Sequence, residues 1–455
     1  MCAHTTRKNT IFRIFFLNNI YLCLYKFEVY SMRILIVNTS EQTGGAAVAA
    51  NRLMEALNNN GEKAKMLVRD KQTDHITVVQ LPNHRVNRWR FAFERARILL
   101  SLRFNREHLW DIDTAQSGYD ITRLPEFKEA DIVHLHWVNQ GMLSLKTIKK
   151  ILQSGKPVVW TMHDMWPATA ICHYAGTCKA FQTQCKKCPF LGKRSENDLS
   201  ARVWARKLAT YNAGFIQFVT CSRWLEGLVK QSQLLKKHAI TSIPNTINTN
   251  VFRKTDKQEA RKTFGLPADK RILLFVSQRV TVERKGMRYF IEALQQLTQQ
   301  HPEIKDNTCV AILGGNADEI VENDFPLQAF PLGYIEDEHK IVSAYNAADC
   351  FVLPSLEDNL PNTIMEALAC GVPCVGFKVG GIPEMIDHRQ NGYVAEYRNA
   401  TDLANGIYWT LFDADAEALS HAAIKKVNTS YSQQSVALKY IEVYNQAKAY
   451  KHYLK

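Results

Sequence analysis

The chain alternates short runs of β-branched and apolar residues with longer amphipathic segments, and this alternation occurs twice. Each short run is typical of a buried strand. The predicted strands are Ile34–Asn38, Lys65–Val68, Ile132–Leu135, Pro157–Thr161, Ile216–Thr220, Arg271–Ser277, Cys309–Leu313, Gln328–Leu332, Cys350–Leu353 and Pro373–Phe377. Helical patterns between them include Ala46–Asn58, Leu143–Gln153, Met287–Gln299, Glu338–Ala347 and Thr363–Ala369. The alternation predicts an α/β fold of two doubly wound, Rossmann-like parallel-sheet domains that face each other across a cleft.

The domain boundaries follow from breaks in this pattern. A Pro- and Asn-rich segment, Ile243–Asn250, separates the two halves and is a credible linker. We predict an N-terminal domain of residues 32–243 and a C-terminal domain of residues 244–430. Residues 431–455 are predicted to form a last helix that can cross back to the N-terminal domain. Residues 1–31 lack the pattern and are expected to form a disordered extension; weak adhesion to a membrane is the alternative.

Charge and cysteine content restrict the setting of the protein. Residues 1–250 hold 35 Lys and Arg against 18 Asp and Glu, and the rest of the chain holds 22 against 26. This asymmetry favours contact of the first half with a polyanion or an anionic membrane, although solubility alone is an alternative. The 11 cysteines form no regular framework, which indicates a reducing, cytoplasmic setting. No apolar stretch reaches the roughly 18 residues of a conventional membrane span.

In open α/β sheets, ligands bind at the carboxyl ends of the strands. Gly44 and Gly45 follow the first strand, where they would let a ligand approach the backbone; a plain tight turn is the alternative. His163 follows another strand and could hydrogen-bond a sugar hydroxyl or a phosphate; a structural histidine bonded to a carbonyl is the alternative. His134 and His136 share one face of a strand and either line the same cleft or belong to the core.

The second half carries more specific signals. Arg279 and Lys285 flank a strand-to-helix loop, a spacing that suits a diphosphate; a solvated basic loop is the alternative. Asp358 precedes a helix that contains Glu366, and a carboxylate one turn inside a helix can accept two ribose hydroxyls. Asn362 is expected to cap that helix, whose N-terminal N–H groups could hold phosphate or sugar oxygens.

Together these motifs resemble the GT-B glycosyltransferases of family 4, and the resemblance extends from Met32 to about Tyr444. The chain is most similar to exopolysaccharide enzymes of the colanic-acid and capsule type, which share a His-Asp-x-Trp segment followed by a cysteine cluster. The motifs that carry the resemblance are Gly44-Gly45, Ile243-Pro-Asn with Phe252, Arg279 with Lys285, Ala344-Tyr-Asn-Ala-Ala-Asp349, Asp358 with Glu366, Gly380-Gly-Ile-Pro-Glu384 and Asn391-Gly-Tyr393.

The resemblance implies a role for each matched residue. Arg279 and Lys285 would hold the donor diphosphate, Glu366 would bind the ribose, and Asp358 would contact the donor sugar. His163 would face that sugar from the other domain, and His163 and Asp358 are the expected catalytic pair. The predicted donor-binding set is completed by Gly44, Gly45, Asn359, Leu360, Pro361, Asn362 and Thr363.

The sequence departs from the usual pattern of the family at three places. Asp358 replaces the usual glutamate, Asn359–Pro361 replaces Gly-Phe-Gly, and Gln278 replaces a common glycine. The first two lie at the expected donor-sugar pocket, so the donor sugar does not follow from the resemblance, and Gln278 would alter how the diphosphate is approached. The family is generally retaining and needs no metal in principle, because cations and helix dipoles can neutralise the leaving group. No cofactor is therefore expected for catalysis.

Four cysteines crowd into a short segment after the His-Asp-x-Trp motif. Four thiols at this spacing can form a tetrahedral structural zinc site, although only one CxxC pair is present. Free thiols or a redox-labile pair are the alternatives. The predicted metal ligands are Cys172, Cys178, Cys185 and Cys188.

Residues 84–110 interleave seven arginines with aromatic and apolar residues. A basic helix with aromatic anchors suits an anionic membrane surface. A packed amphipathic helix with a solvated basic face is the alternative.

We therefore expect a cytoplasmic glycosyltransferase, peripheral at the inner face of the plasma membrane. It would move a sugar from a nucleoside diphosphate sugar to a glycan or lipid-diphosphate-linked acceptor in capsule, exopolysaccharide or lipopolysaccharide synthesis, with no nucleic-acid partner. One alternative is a GT-B sugar-nucleotide epimerase, which would act without an acceptor. The other is a basic, zinc-containing nucleic-acid-binding protein, which would leave the second half of the chain unexplained.

Overall fold

The computed structural model of the chain describes residues 31–321 and 325–453, so the first 30 residues of the predicted extension lie outside it. The described residues form two α/β domains, each built on one parallel sheet. The predicted fold class is confirmed. Within these residues no helix is long and apolar enough to cross a membrane.

The N-terminal domain is built on a seven-stranded sheet in the order β3-β2-β1-β4-β5-β6-β7. Its strands are β1 (Arg33–Ser40), β2 (Lys63–Asp70), β3 (Val78–Gln80), β4 (Ile132–Leu135), β5 (Val158–Met162), β6 (Gln217–Thr220) and β7 (Ala239–Ser242). Its helices are α1 (Gly45–Asn59), α2 (His84–Ser101), α3 (Pro125–Glu129), α4 (Leu145–Gln153), α5 (Leu199–Tyr211) and α6 (Arg223–Val229). The sheet core is apolar on both faces, as expected when helices cover a parallel sheet.

The C-terminal domain is built on a six-stranded sheet in the order β10-β9-β8-β11-β12-β13. Its strands are β8 (Arg271–Arg279), β9 (Thr308–Gly315), β10 (Ala329–Gly333), β11 (Cys350–Leu353), β12 (Cys374–Phe377) and β13 (Gly392–Ala395). The helices that follow the linker are α7 (Lys257–Thr263), α8 (Met287–Gln300), α9 (Ile304–Asn307), α10 (Ala317–Val321), α11 (Glu338–Ala347), α12 (Asn362–Ala369), α13 (Ile382–Met385), α14 (Ala400–Tyr408), α15 (Ala416–Ser430) and α16 (Gln433–Tyr453).

The last helix, α16, packs on the N-terminal sheet rather than on the domain that precedes it. Its buried side chains Val436, Tyr440 and Tyr444 join the core formed by β1, α1 and β2. The Tyr444 hydroxyl lies 2.9 Å from His134 Nδ1, and the Tyr440 hydroxyl lies 2.9 Å from Thr161 Oγ1. The N-terminal core is therefore completed by residues that follow the C-terminal domain in the chain.

Three strands, β3, β7 and β13, are absent from the strands predicted above. β3 has only three residues, and β7 is exposed or partly exposed at every position. All three lie at sheet edges, where a strand pairs with a single neighbour. The apolar pattern is weak in β3 and β7, whereas β13 is mostly buried but only four residues long. The strong internal strands agree with their predicted positions to within about two residues, the usual uncertainty of element ends.

Candidate functional site

A cleft of about 680 Å³ lies between the two domains, and both contribute to its walls. The carboxyl ends of β1, β5 and β8 open into it, as expected for a ligand site in doubly wound folds. Every predicted catalytic or donor-binding residue lines this cleft. These residues are Gly44, Gly45, His163, Arg279, Lys285, Asp358, Asn359, Leu360, Pro361, Asn362, Thr363 and Glu366.

The loop after β1 is shaped by Gly44, whose φ of 92° is in the region that favours glycine. A Cβ built at this position would have no heavy atom within 4 Å, so the loop leaves open space beside the backbone. α1 begins at Gly45, and both glycines line the cleft. The backbone here is accessible to a ligand from the cleft.

On the C-terminal side, two cationic groups flank one carboxylate. Lys285 Nζ lies 2.5 Å from Asp358 Oδ2, and Arg284 Nη1 lies 3.7 Å from the same oxygen. Burial alone would raise the pKa of Asp358, but Lys285 and Arg284 reverse this effect and hold the pKa below its usual value. Arg279, at the end of β8, is exposed and forms no ion pair within the described residues. Its guanidinium is free to bind an anion.

Glu366 lies in the fifth position of α12 and is held by two partners. Its Oε1 lies 2.8 Å from Arg52 Nη2, which α1 supplies from the other domain. The Tyr345 hydroxyl donates a hydrogen bond to Oε2 at 2.7 Å. Both oxygens retain lone pairs, so the carboxylate is fixed in place while it can still accept ligand hydroxyls.

The predicted helix-capping role of Asn362 is wrong. The residue before the first turn of α12 is Pro361, and no side chain caps that helix. The Asn362 side chain instead spans the domains. Its amide donates to the Gly45 carbonyl at 3.0 Å, and its oxygen accepts from Asn245 at 3.0 Å. The N-terminal N–H groups of α12 are thus left without a side-chain cap on the wall of the cleft.

His163 lies on the N-terminal wall, directly after β5. A 2.9 Å hydrogen bond joins its Nε2 to His136 Nδ1, and its Nδ1 lies 3.5 Å from the Cys221 sulfur. Burial lowers the pKa of His163 to about 4, against the opposing effect of Asp164, so the ring is neutral near pH 7. His136 is buried behind His163, and His134 is bonded to α16, so neither of the two lines the cleft.

Asp164 organises the wall next to His163. It accepts hydrogen bonds from Trp137 Nε1 at 3.0 Å and from the Trp166 backbone N–H at 2.8 Å, and its Oδ2 lies 2.7 Å from His173 Nδ1. Burial opposes ionisation of Asp164, but His173 and these donors hold the pKa of Asp164 below its usual value. The His173 ring also stacks on Trp137, which lines the cleft. The His-Asp-x-Trp segment therefore fixes this wall.

The four cysteines of the predicted metal site are free thiols. Cys172, Cys185 and Cys188 are buried, and burial raises the pKa of Cys185 to about 12 and that of Cys188 to about 11. Among the described residues, no group of three or more His, Cys, Asp or Glu side chains is arranged to hold a metal ion. Cys178, the fourth predicted ligand, is only partly buried. The zinc site stays a prediction without support from this geometry.

Sequence reasoning missed three residues that shape the site. Arg284 is adjacent to Lys285 in the sequence. It was not singled out because Arg279 and Lys285 already supplied the predicted pair of phosphate-binding cations. Arg52 is buried in α1, whereas Glu55, the other charged residue of that helix, is exposed, and the local sequence does not distinguish the two. Tyr345 belongs to the motif Ala344–Asp349, but nothing in the local pattern indicates its contact with Glu366.

The fold is that of the GT-B class: two parallel-sheet α/β domains with the functional cleft between them. Anabaena Alr3699/HepE in complex with UDP-glucose is structurally similar, with a TM-score of 0.60 over 91% of this chain and 100% of that chain, at 16% identity. Two family models match, "Glycosyltransferase Family 4" over residues 43–251 and "Glycosyl transferases group 1" over residues 270–413. The chain therefore belongs to the family 4, or group 1, glycosyltransferases.

Curated relatives share modest identity with the chain. A D-inositol 3-phosphate glycosyltransferase of Thermobispora bispora is 27% identical over 46% of this chain, and the match spans 50% of that protein. The putative colanic acid biosynthesis glycosyl transferase WcaC of Escherichia coli K12 is 23% identical over 77% of this chain and 83% of that protein. The predicted similarity to the colanic-acid enzymes is confirmed.

Proposed function

We propose that the protein transfers a sugar from a nucleoside diphosphate sugar to a glycan or lipid-linked acceptor in the synthesis of a surface polysaccharide. One observation carries the proposal: Arg279, Lys285, the uncapped N-terminus of α12 and Glu366 all line one cleft. Cations and helix N–H groups suit a diphosphate, and Glu366 suits the ribose hydroxyls. The UDP-glucose bound in the structurally similar Anabaena protein supports this class of donor.

The cationic groups would act mainly on the leaving diphosphate. As the glycosidic bond breaks, negative charge grows on the departing diphosphate, and preorganised donors stabilise that charge. Arg279 provides a planar fork with no competing carboxylate among the described residues. When a donor binds, Lys285 would interact with both Asp358 and the diphosphate, since Lys285 Nζ lies 2.5 Å from Asp358 Oδ2 before the donor arrives. Donor binding would therefore release Asp358 toward the donor sugar.

The two domains would divide the remaining work. The neutral ring of His163 can form a hydrogen bond with a sugar hydroxyl when its contact with His136 or with Cys221 breaks. With retention, the acceptor attacks from the face that the diphosphate leaves, and a diphosphate oxygen takes the proton of the acceptor hydroxyl. The name of the Escherichia coli relative, a putative colanic acid biosynthesis enzyme, supports a polysaccharide acceptor.

The decisive experiment is calorimetric titration of the protein with UDP and with GDP, repeated on Lys285→Ala. We expect one nucleotide to bind and the variant to bind it at least tenfold more weakly, because a charge-assisted bond contributes roughly 1.5–3 kcal/mol. Lys340→Ala is the matched control, because Lys340 is an exposed lysine on α11. Failure of both nucleotides to bind the wild type would refute the donor site.

Product analysis then separates transfer from epimerisation. The nucleotide sugar is incubated with the protein, with and without a glycan primer, and the products are identified by mass spectrometry and by NMR, which distinguishes epimers of equal mass. A glycosyltransferase gives an elongated primer and free nucleoside diphosphate. A new nucleotide sugar formed without primer would identify an epimerase instead.

A further inference from the structure

The exposed face of α2 and of the turns that follow it to Trp110, here called the α2 surface, is unusually apolar for a surface. Of the 13 large hydrophobic side chains exposed in the described residues, six lie between positions 86 and 110. They are Val86, Trp89, Phe93, Leu100, Phe104 and Trp110. Such a concentration on one short segment marks an interaction surface rather than the usual scatter of single exposed residues.

Four of these side chains, Val86, Trp89, Phe93 and Leu100, form a stripe along α2, while Phe104 and Trp110 lie in the turns that follow it. Trp89, Phe93 and Leu100 are separated by four and seven residues, so they lie on one side of the helix. Trp89 is 77% exposed. The opposite side of α2, which includes Glu94 and Ile98, is already buried against the domain. The stripe is therefore what remains outside after α2 has made its internal contacts.

Five exposed arginines accompany the stripe, and they form no ion pair with any carboxylate in the described ranges. They are Arg85, Arg88, Arg97, Arg103 and Arg106. The guanidinium of Arg97 lies 5.6 Å from the ring centre of Phe93, so charge and aromatic surface are presented together. The only exposed acidic residue between positions 85 and 110 is Glu107. The α2 surface is thus strongly cationic as well as apolar.

We propose that the α2 surface docks on an anionic lipid bilayer, with its aromatic residues at the headgroup boundary and its arginines on lipid phosphates. Aromatic rings and arginines together are what an interfacial helix requires. A second copy of the chain fits poorly, because a two-fold contact would place the five arginines against themselves. A nucleic acid would engage the arginines but leave the apolar side chains of Val86 and Leu100 unused.

The inner face of α2 ties this surface to the cleft. Glu94 Oε1 accepts from Thr114 Oγ1 at 2.9 Å, and Arg95 Nη2 lies 2.8 Å from Asp113 Oδ2. His173 lies 4.0 Å from Asp113 and 2.7 Å from Asp164, which bonds Trp137 on the cleft wall. Docking α2 on a bilayer would therefore hold the N-terminal wall of the cleft beside the lipid. An acceptor carried on a lipid would reach that wall without leaving the membrane.

The test is flotation of the full-length protein with lipid vesicles. We expect binding to vesicles of equal parts phosphatidylcholine and phosphatidylglycerol, and at least tenfold weaker binding to phosphatidylcholine alone. The double variant Trp89→Ser/Phe93→Ser should bind the anionic vesicles at least tenfold more weakly than the wild type does. Arg88→Gln/Arg97→Gln should weaken it about fivefold for each arginine, and added salt should reproduce that loss.

The matched control is Leu438→Ser/Lys439→Gln, which removes one exposed apolar residue and one exposed cation from α16. This control should bind vesicles like the wild type. Three results would overturn the proposal: no vesicle binding by the wild type, equal binding by all variants, or a wild-type dimer that Trp89→Ser/Phe93→Ser dissociates while vesicles stay unbound. Nucleotide titration of each variant shows that it is folded and separates this surface from the donor site.

Discussion

Glu94, on the buried side of α2, is a carboxyl group whose surroundings disfavour its ionised form. Its Oε1 accepts hydrogen bonds from the N–H and hydroxyl of Thr114, and its side chain is within hydrogen-bonding reach of Asp113. Burial and the negative charge of Asp113 raise the pKa of Glu94 to about 8. The side chain is therefore protonated at neutral pH and can share that proton with Asp113.

This raised pKa predicts a pH-dependent gain in stability for Glu94→Gln. Between pH 5 and pH 8 the folded protein keeps a proton that the unfolded chain has released, so the wild type loses stability as the pH rises. Glutamine is neutral throughout and can donate to Asp113. The unfolding free energy of the variant should exceed that of the wild type by an amount that grows by about 1.4 kcal/mol per pH unit.

Urea unfolding at several pH values between 5 and 8 measures this difference. Glu107→Gln, an exposed change in the turn after α2, is the control and should leave the pH dependence unchanged. A difference between Glu94→Gln and the wild type that stays constant with pH would contradict the protonated state.

At the scale of elements, α16 contributes polar as well as apolar contacts to the N-terminal core. Tyr444→Phe removes the hydroxyl that bonds His134 Nδ1 in a fully buried setting. An unsatisfied buried polar group costs about 1–3 kcal/mol, so we expect a loss of that order in unfolding free energy. Thermal and urea unfolding provide the measurement.

Tyr450→Phe is the matched control on the same helix. Tyr450 is 40% exposed and stacks on Phe215, so its hydroxyl can stay in contact with water. Its removal should change stability by less than about 0.5 kcal/mol. Equal losses in both variants would show that the Tyr444–His134 bond has no special importance.

The internal strands and main helices were predictable because their signals are local. Runs such as that of β1, six buried residues of eight, are evident without knowledge of their neighbours. The twelve cleft residues came from motifs at strand ends and from family resemblance. β7 lacked a signal because an edge strand needs little apolar surface. The Arg52–Glu366 pair could not be predicted from the sequence because its two residues belong to different domains, and only the tertiary arrangement brings them together.

At the scale of the whole molecule, several hydrogen bonds and one buried ion pair hold the domains together around the cleft. Ser222 Oγ donates to Asn359 Oδ1 at 2.5 Å, and Asn359 in turn donates to the His163 carbonyl at 3.1 Å. Glu384 of the C-terminal domain accepts from the N–H groups of Arg223 and Trp224, the first two residues of α6. A carboxylate at this place favours the helix N-terminus.

The Arg52–Glu366 pair is the interdomain contact whose loss should be measured first. Arg52→Met leaves Glu366 buried with Tyr345 as its remaining partner, and breaking a buried ion pair from one side costs about 3–5 kcal/mol. We expect a stability loss of that order, together with weaker nucleotide binding, because Arg52 orients the carboxylate expected to bind ribose. Urea unfolding and nucleotide titration measure the two effects.

Arg33→Met is the control for this prediction. It breaks an exposed ion pair with Asp131, in which the arginine side chain is 56% exposed, and such pairs contribute about 0–1 kcal/mol. If Arg52→Met and Arg33→Met lost the same amount of stability, the interdomain pair would contribute no more to stability than an exposed ion pair does.

The return of α16 has a consequence for how the protein forms on the ribosome. Apart from Cys221, the core of the C-terminal domain comes from one continuous stretch of chain, from the linker to Tyr431 just after α15. The N-terminal domain, although synthesised first, lacks Tyr440 and Tyr444 until α16 emerges. Domains generally fold as units during synthesis. The earlier domain is therefore completed last: part of one face of its sheet stays uncovered until α16 has been synthesised.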